Sequence, residues 1–337
     1  MNTVLKMGVA QRPRLGFLGV GASACCALAG LVDGEVATPT MLWDISADAL
    51  TRGLALAPDA TLVATPVDLL EADIDGVVIA MPNPLHAGLA MAALSRGLAV
   101  FCQAPLGRNA IEVARVVGAA RGANRLLAAD LSYRFTNAMR AVRGVVRDGM
   151  IGEVFAVELT FHNAYRPEDC GCVVDVGTHL LDLALWALEF PKVREVASQL
   201  FARGRPLSTI PNAEIFEDRA EAQIALDTGA VIRMACSWRT IPGDEPIISA
   251  VFHGTRGSAS FHNMKGSFID FVGERYESAR WELLHGAPDA WGGRALMSWA
   301  SRLAAGDRYD RAVERLIDVA ETLDAIRGVQ PQLKAIA

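Results

Sequence analysis

Lysine is scarce in this 337-residue chain, which has four lysines (Lys6, Lys192, Lys265 and Lys334) against 28 arginines. Acidic side chains outnumber basic ones by 38 to 32, giving a formal net charge of −6. The chain therefore lacks the basic surplus that a general nucleic-acid binder needs, and no nucleic-acid partner is predicted. Any site that requires a titratable amine also has few candidates.

Cysteines are also few, and no long apolar run is present in the sequence. The six cysteines lack the spacing of a zinc site or a disulfide framework, so we predict reduced thiols and no metal. No apolar run approaches the length of about 20 residues that crosses a bilayer. The amino terminus, Met1 to Gln11, does not resemble a signal peptide. We therefore expect a cytoplasmic protein with no membrane partner.

Short apolar runs such as Arg14–Gly19 and Gly76–Ala80 alternate with helical patterns through the first 130 residues. This alternation predicts an α/β domain over residues 12–130, with a doubly wound parallel sheet of the Rossmann type. Strand-like runs then follow one another directly, which predicts an α+β domain over 131–337 with a large open, mostly antiparallel sheet. We expect its two terminal helices to be able to pack back on the first domain.

A dinucleotide fingerprint follows the first predicted strand. Gly19, Gly21 and Ala24, with Ala22 and Ser23 between them, fit the pattern G-x-G-x-x-G/A and open a helix. The glycines permit a tight turn close to a pyrophosphate, and the helix N-terminus offers unpaired N–H groups. Asp44 lies at the end of the second predicted strand, where a carboxylate binds ribose hydroxyls and repels a 2′-phosphate. The sequence therefore favours NAD(H) over NADP(H), and Arg52 stands too far along the chain to be an obvious phosphate partner.

A second segment, Pro82-Asn83-Pro84-Leu85-His86, follows the strand-like run at Gly76–Ala80. It is expected at the carboxyl edge of the sheet, where open α/β sheets bind ligands. Pro82, Asn83 and His86 are therefore candidate cofactor contacts. His86 has two interpretations: a group near the nicotinamide, or a residue that only begins a helix.

The string Asp175-Val176-Gly177-Thr178-His179-Leu180-Leu181-Asp182 places ionisable groups on one helix face. His179 and Asp182 are three residues apart, and Asp175 lies just upstream. Oxidation of a secondary alcohol needs a base for the hydroxyl proton, which a histidine oriented by a carboxylate supplies. We predict His179 and Asp175 as catalytic and Asp182 as substrate-binding. The alternative is a polar helix start whose carboxylates only cap the helix.

These motifs, together with Tyr133-Arg134-Phe135 and Asp148–Val154, resemble those of the Gfo/Idh/MocA oxidoreductases, relatives of glucose–fructose oxidoreductase and inositol dehydrogenase. The resemblance covers nearly the whole chain. It implies hydride transfer between a nicotinamide and a sugar-like or cyclitol-like secondary alcohol or ketone, with a cofactor contact at Gln103. It also implies a homodimer or homotetramer formed through the C-terminal sheet.

Two segments depart from the family pattern. Ala104 occupies the position of the lysine in the family's E-K-P motif, and Cys170-Gly171-Cys172 replaces a glycine-rich stretch, so side chains are expected where substrate space is usually left bare. Three interpretations follow: an oxidoreductase that uses His179, a dinucleotide-binding sensor or scaffold without ordinary dehydrogenase activity, or an enzyme that recycles the cofactor in an epimerase- or glycosidase-type reaction. In the first interpretation, His162, Tyr165 or Arg166 supplies the missing substrate contact.

Overall fold

Six parallel strands form the first sheet of the computed structural model, which describes residues 12–164, 170–210, 216–239 and 246–329. The strand order is β3-β2-β1-β4-β5-β6. The strands are β1 (Arg14–Leu18), β2 (Thr38–Trp43), β3 (Thr61–Leu62), β4 (Gly76–Ile79), β5 (Ala99–Gln103) and β6 (Leu127–Asp130). The helices between them are α1 (Ala22–Asp33), α2 (Ala47–Leu56), α3 (Pro66–Leu70), α4 (Asn83–Ser95) and α5 (Ala110–Ala123). The predicted doubly wound sheet is confirmed.

Local sequence explains these elements. The interior strand β4 is buried at all four positions, which is why it reads as a continuous apolar run with no alternation. Ser46 caps α2, its hydroxyl accepting a hydrogen bond from the Ala49 amide, and Thr65 and Asp68 form a capping box on α3. These caps fix where each helix begins and so set the loops at the sheet edges.

The second sheet has nine strands in the order β15-β14-β13-β12-β7-β11-β10-β8-β9. Only β7 and β11 pair in parallel, so the predicted mostly antiparallel sheet is confirmed. The strands are β7 (Val154–His162), β8 (Val193–Ala202), β9 (Arg205–Pro206), β10 (Arg219–Leu226), β11 (Val231–Ser237), β12 (Ile247–Gly254), β13 (Gly257–Asn263), β14 (Phe271–Glu277) and β15 (Arg280–His285).

Helices cover one face of this nine-stranded sheet. They are α6 (Asn137–Arg147), α7 (Val176–Ala187) and α9 (Arg315–Ile326). Along β7, Val157, Leu159 and Phe161 pack into the core beneath these helices, while the alternate side chains point to the opposite face. That opposite face carries exposed apolar side chains, including Trp281 and Leu283. Self-association through this sheet stays a prediction.

The terminal helices connect the two sheets. Helix α8 (Arg294–Ala304) packs on α1, and α9 packs against both α5 and α7. Across this junction, Asp324 of α9 accepts a hydrogen bond from the Ala110 amide at the start of α5, at 2.8 Å. The domain boundary near residue 130 stays a prediction. No helix in the described ranges has the length and apolar composition needed to cross a bilayer.

Sequence reasoning missed five of the strands and helices: β3, α3, β9, β14 and β15. The strand β15 is exposed or only half-buried along its length, so it lacks the apolar alternation that marks a strand. Helix α4 begins at Asn83, three residues before the expected start at His86, because prolines are tolerated in the first helical turn.

We predict that Asp289→Ala lowers the free energy of unfolding by about 3 kcal/mol. The Asp289 side chain is 2% exposed, pairs with Arg294 at 2.6 Å, and accepts from the Asn137 amide at 2.6 Å, joining α8 to α6. Urea denaturation followed by circular dichroism measures the loss. Asp73→Ala is the matched control, because that carboxylate also pairs with an arginine but is 97% exposed. Equal losses in the two variants would contradict this prediction.

Candidate active site

The glycine-rich turn lies at the carboxyl end of β1. Gly19 has φ of +93°, and a Cβ there would collide with the Ala80 carbonyl oxygen, so only glycine fits. Gly21 precedes α1 as its N-cap residue, and a Cβ at Gly21 would meet no atom within 4 Å. The helix N-terminus is therefore open to a ligand, as a dinucleotide pyrophosphate requires.

Asp44 follows β2 and holds the glycine-rich turn in place. Its two carboxylate oxygens accept hydrogen bonds from the Val20 and Ser46 amides, each at 2.8 Å. The carboxylate thus stands beside the fingerprint, where the sequence places the ribose contact. Burial raises the pKa of the Cys25 thiol, and the charge of Arg52 opposes that shift. Arg52 therefore lies near Cys25, in the first turn of α1.

His86 is buried in the structure and engaged through both ring nitrogens. Nδ1 lies 2.7 Å from the Pro105 carbonyl oxygen and Nε2 lies 2.5 Å from the Met81 carbonyl oxygen. Asn83 also donates to the Pro105 carbonyl oxygen, at 3.1 Å. These contacts connect the start of α4 to the segment after β5. They give His86 and Asn83 a structural role, whereas Pro82 stays exposed at the sheet edge. Cofactor contacts of these three residues stay a prediction.

The segment after β5 contains Ala104, which stands where the resemblance implies a lysine. Gln103 reaches across the sheet edge, its Nε2 lying 3.5 Å from the Ser23 hydroxyl at the start of α1. Ala104 is only 7% exposed and belongs to an apolar cluster with Leu106 and Ala110. Gln103 and Ser23, both predicted cofactor contacts, are thus neighbours, while Ala104 offers the site no polar group.

Helix α7 presents His179 in its first turn. The helix begins at Val176, after Asp175, whose side chain makes no capping hydrogen bond to it. Helix capping therefore does not explain Asp175. The half-buried His179 ring lies edge-on to Tyr133, with ring centroids 5.5 Å apart, and has no hydrogen-bond partner among the described residues. Burial lowers the pKa of His179 to about 4, so the imidazole is neutral at pH 7 and able to accept a proton.

Asp182 forms an ion pair with Arg134 on the buried side of α7. Arg134 Nε donates to Asp182 Oδ2 at 2.6 Å, and Nη2 donates to Oδ1. Asp182 is 1% exposed, and burial raises the pKa of its carboxyl group while the charge of Arg134 opposes the shift. Both carboxylate oxygens of Asp182 are thus engaged by Arg134 and hidden, and its contact with substrate stays a prediction.

The cysteines before α7 do not occupy substrate space as the sequence suggested. Cys172 is fully buried, and its sulfur lies 3.6 Å from the sulfur of Cys236 on β11. Cys170 is 8% exposed. Burial raises the pKa of the Cys172 thiol, which favours its neutral form. The Cys172 side chain belongs, with Cys236, to the apolar core between α7 and the nine-stranded sheet.

Three residues before α7, His162, Tyr165 and Arg166, were predicted as substrate contacts. Tyr165 and Arg166 lie outside the described residues. His162 ends β7 and points to the face opposite Phe161, so the sheet separates it from α7. The Nε2 atom of His162 is buried without a hydrogen-bond partner in the described part of the chain. This placement argues against His162 as the missing substrate contact.

Sequence reasoning missed Asp130 and Tyr133 as site residues. Asp130 ends β6 beside Gln103, and its carboxylate accepts a hydrogen bond from the Ser132 hydroxyl. Burial raises the pKa of Tyr133, and the charges of Asp175 and Asp130 raise it further. We name Asp130, Tyr133, Asp175 and His179 the His179 cluster. The signal that could have identified Asp130 is a carboxylate directly after a parallel strand, at the ligand-binding edge.

Family models match both halves of the chain. The model described as "Oxidoreductase family, NAD-binding Rossmann fold" matches residues 14–131. The model described as "GFO/IDH/MocA C-terminal domain" matches residues 139–260. Together these spans cover more than half of the chain.

Curated relatives share part of the chain. It is 24% identical over 224 residues to D-glucoside 3-dehydrogenase of Escherichia coli (strain K12), covering 60% of this chain and 61% of that protein. It is 27% identical over 219 residues to levoglucosan dehydrogenase of Pseudarthrobacter phenanthrenivorans, covering 56% of each. It is 27% identical over 195 residues to inositol 2-dehydrogenase of Gluconacetobacter diazotrophicus, covering 55% of this chain and 57% of that protein. The matches thus span under two thirds of these relatives.

Solved structures share the fold over almost the whole length. KijD10, a 3-ketoreductase from Actinomadura kijaniata in complex with NADP and TDP-benzene, superposes with a TM-score of 0.80 at 19% identity, covering 94% of this chain and 98% of that one. Levoglucosan dehydrogenase in complex with NADH and L-sorbose gives 0.78 at 19% identity, covering 95% and 96%. At this identity the likeness establishes the architecture of both sheets.

Proposed function

The chain belongs to the Gfo/Idh/MocA family of oxidoreductases, and from this premise we propose that it transfers hydride between a nicotinamide cofactor and a sugar-like or cyclitol-like secondary alcohol or ketone. The observation that carries the proposal is His179. Its ring is neutral, has no hydrogen-bond partner among the described residues, and lies at the start of a helix where it meets Tyr133 of the segment after β6. A neutral imidazole with no hydrogen-bond partner among the described residues can accept the proton of a substrate hydroxyl group.

The residues of the first sheet fit a dinucleotide. The open helix N-terminus after Gly21 suits the pyrophosphate, and Asp44 suits the ribose hydroxyls beside it. Gln103, at the end of β5, lies next to the Ser23 hydroxyl at the start of α1, so both residues are at the same edge of the sheet. The bound nicotinamide would accept or donate the hydride. We propose NAD(H) as the preferred cofactor, because the Asp44 carboxylate would repel a 2′-phosphate.

His179 then handles the proton of the reacting hydroxyl group. In the oxidation direction the imidazole accepts this proton as the hydride leaves the carbon. Burial favours the neutral imidazole, so the base form is present throughout the neutral range. Asp175 lies at the start of the same helix, and we propose that its carboxylate favours the imidazolium that forms.

The substrate class rests on the relatives, whose names specify a glucoside, levoglucosan and inositol. These compounds carry several neighbouring secondary hydroxyl groups. We propose a carbohydrate-like or cyclitol-like small molecule of the same kind as the substrate of this chain.

A second candidate function follows from Ala104, which provides no acid, base or charge at the position of the family lysine. The alternative is a protein that binds the dinucleotide as a sensor or scaffold without dehydrogenase turnover. Activity with a panel of inositols, glucosides and keto-sugars separates the two, since only the enzyme changes NADH absorbance while both bind NADH.

We predict that His179→Ala lowers kcat/KM by about 10²–10⁴-fold and leaves NADH affinity unchanged, because only proton transfer is lost. In the oxidation direction, wild-type kcat/KM should show no acid limb at pH 6.5, the usual histidine value. It should fall only as the pH drops toward about 4, where His179 becomes protonated. Stopped-flow absorbance of NADH across pH 4 to 9 measures both effects.

His253→Ala is the matched control, because His253 lies on the far face of the nine-stranded sheet beside Ser258. This control should keep wild-type kinetics. A His179→Ala protein as active as wild type would contradict the role of His179. A wild-type chain that binds NADH and turns over no member of the panel would favour the second candidate function.

We predict that NADH binds at least about tenfold more tightly than NADPH, a difference of about 1.4 kcal/mol. Fluorescence titration gives both dissociation constants. Asp44→Asn should reduce the preference because it removes the repelling charge, while Asp48→Asn, on the exposed first turn of α2, should not. Equal or tighter NADPH binding would contradict the NAD(H) preference.

A further inference from the structure

The turn that leads into α7 is held by a residue from another part of the chain, Glu217. The backbone carbonyl oxygen of Glu217 accepts a hydrogen bond from the Cys172 amide at 3.1 Å, and its side-chain Oε1 accepts from the Val173 amide at 3.2 Å. Cys172 and Val173 are fully buried, and a buried amide without an acceptor is costly. Glu217, which lies 44 residues from Val173 in the sequence, therefore satisfies two successive amides of this turn.

Glu217 is itself fixed to the nine-stranded sheet. It is 5% exposed and directly precedes Asp218, whose amide donates to the Phe201 carbonyl oxygen at 2.9 Å. The Asp218 carbonyl oxygen accepts from the Trp238 amide at 2.8 Å and from the Ser237 hydroxyl at 3.2 Å. These contacts reach β8 and the end of β11, the strands on either side of β10. The sheet therefore sets the position of Glu217.

The same turn continues directly into the helix that carries His179. The Asp175 amide donates to the Gly171 carbonyl oxygen at 3.1 Å. The amide of Gly177, in the first turn of α7, donates to the Cys172 carbonyl oxygen at 3.0 Å. His179 follows Gly177 by two residues in that helix. Because these hydrogen bonds join the turn to the start of α7, a displacement of the turn also displaces the imidazole.

Gly171 has no room for a side chain because the Glu217 carboxylate occupies that space. A Cβ on Gly171 would collide with the carboxylate, whose Oε1, Cδ and Oε2 are the three nearest atoms. The φ angle of Gly171 is not positive, so the backbone conformation does not itself require glycine. A side chain at Gly171 would instead push the buried carboxylate away from the Val173 amide. The glycine between the two cysteines is thus explained by Glu217.

We propose that Glu217 is a positioning residue of the active site, which fixes the start of α7 so that His179 meets the reacting hydroxyl group at the distance that proton transfer requires. This inference rests on the proposed oxidoreductase function and deepens it. Proton transfer needs a distance of about 2.6–3.2 Å between the base and the hydroxyl oxygen. A displacement of about 1 Å can lower the rate about 10²-fold. Glu217 acts in this way without touching substrate or cofactor.

The test is a double-mutant cycle on Glu217 and Gly171 in the full chain. Glu217→Gln keeps an acceptor oxygen for the Val173 amide, so the rate constant of hydride transfer should stay close to that of wild type. Glu217→Ala removes the side-chain acceptor and should lower this rate constant about tenfold. Gly171→Ala displaces the buried carboxylate from its partner and should lower it about 10²-fold. The double variant Gly171→Ala/Glu217→Ala should recover to the level of Glu217→Ala.

Stopped-flow absorbance measures a single turnover, with the protein in excess over NAD⁺ and a saturating inositol or glucoside from the panel. Because the protein is in excess, a minor unfolded fraction does not lower the rate constant of NADH formation, whereas a displaced His179 does. Two variants are the controls and should match wild type: Glu195→Ala, an exposed carboxylate on β8, and Gly144→Ala in α6, where a Cβ meets no atom within 4 Å. Fluorescence titration should give an unchanged NADH affinity in every variant.

Amide hydrogen exchange gives a readout that does not depend on turnover. Exchange of the Val173 amide should be faster in Glu217→Ala than in wild type, and Glu217→Gln should restore it. Unchanged exchange in Glu217→Ala would show that Glu217 does not hold the turn.

A wild-type rate constant in Glu217→Ala would overturn the role of Glu217, and so would losses that multiply in the double variant. A Glu217→Gln protein as slow as Glu217→Ala would overturn it as well, because the acceptor oxygen would then be irrelevant. In each of these cases the proposed function stands, since wild type still turns over and still depends on His179. If wild type turns over no member of the panel, the proposed function fails, and the exchange measurement still decides whether Glu217 holds the turn.

Discussion

The buried ion pair between Arg134 and Asp182 fixes the geometry on which the site depends. Arg134 belongs to the turn that follows β6, and Asp182 belongs to the helix that carries His179, so the pair holds that helix against the edge of the cofactor sheet. The faces of Trp186 and Phe190 enclose the guanidinium at 5.4 and 5.6 Å. Removing one partner of such a pair is costly, because it leaves a charge buried and alone.

This constraint also sets the electrostatics around His179. Because Asp182 is neutralised by Arg134, it does not stabilise a charged imidazole, and burial alone lowers the pKa of His179. The family resemblance implies a lysine close by, and this chain has alanine there.

The sequence specified the fold well and the site in part. The apolar runs of β1 and β4, the fingerprint at Gly19 and the helix after Asp175 were predictable, because periodicity and glycine spacing reflect local geometry. The partners of His86 and Asp182 were not, because each depends on a residue far along the chain: Pro105 in one case and Arg134 in the other. The face of β7 that His162 occupies was not predictable for a related reason, since strand register decides it. Asp130 escaped notice because its significance depends on its neighbour in β5.

The central claim is hydride transfer from a secondary alcohol at the His179 cluster. The most direct measurement is a single turnover of the chain with NAD⁺ and carbon-deuterated inositols and glucosides, followed by mass spectrometry of the cofactor. The account predicts one deuterium in the NADH that forms with wild-type protein and far less in the same interval with His179→Ala. Tight binding of NAD⁺ with no deuterium recovered in the cofactor from any of these substrates would contradict it.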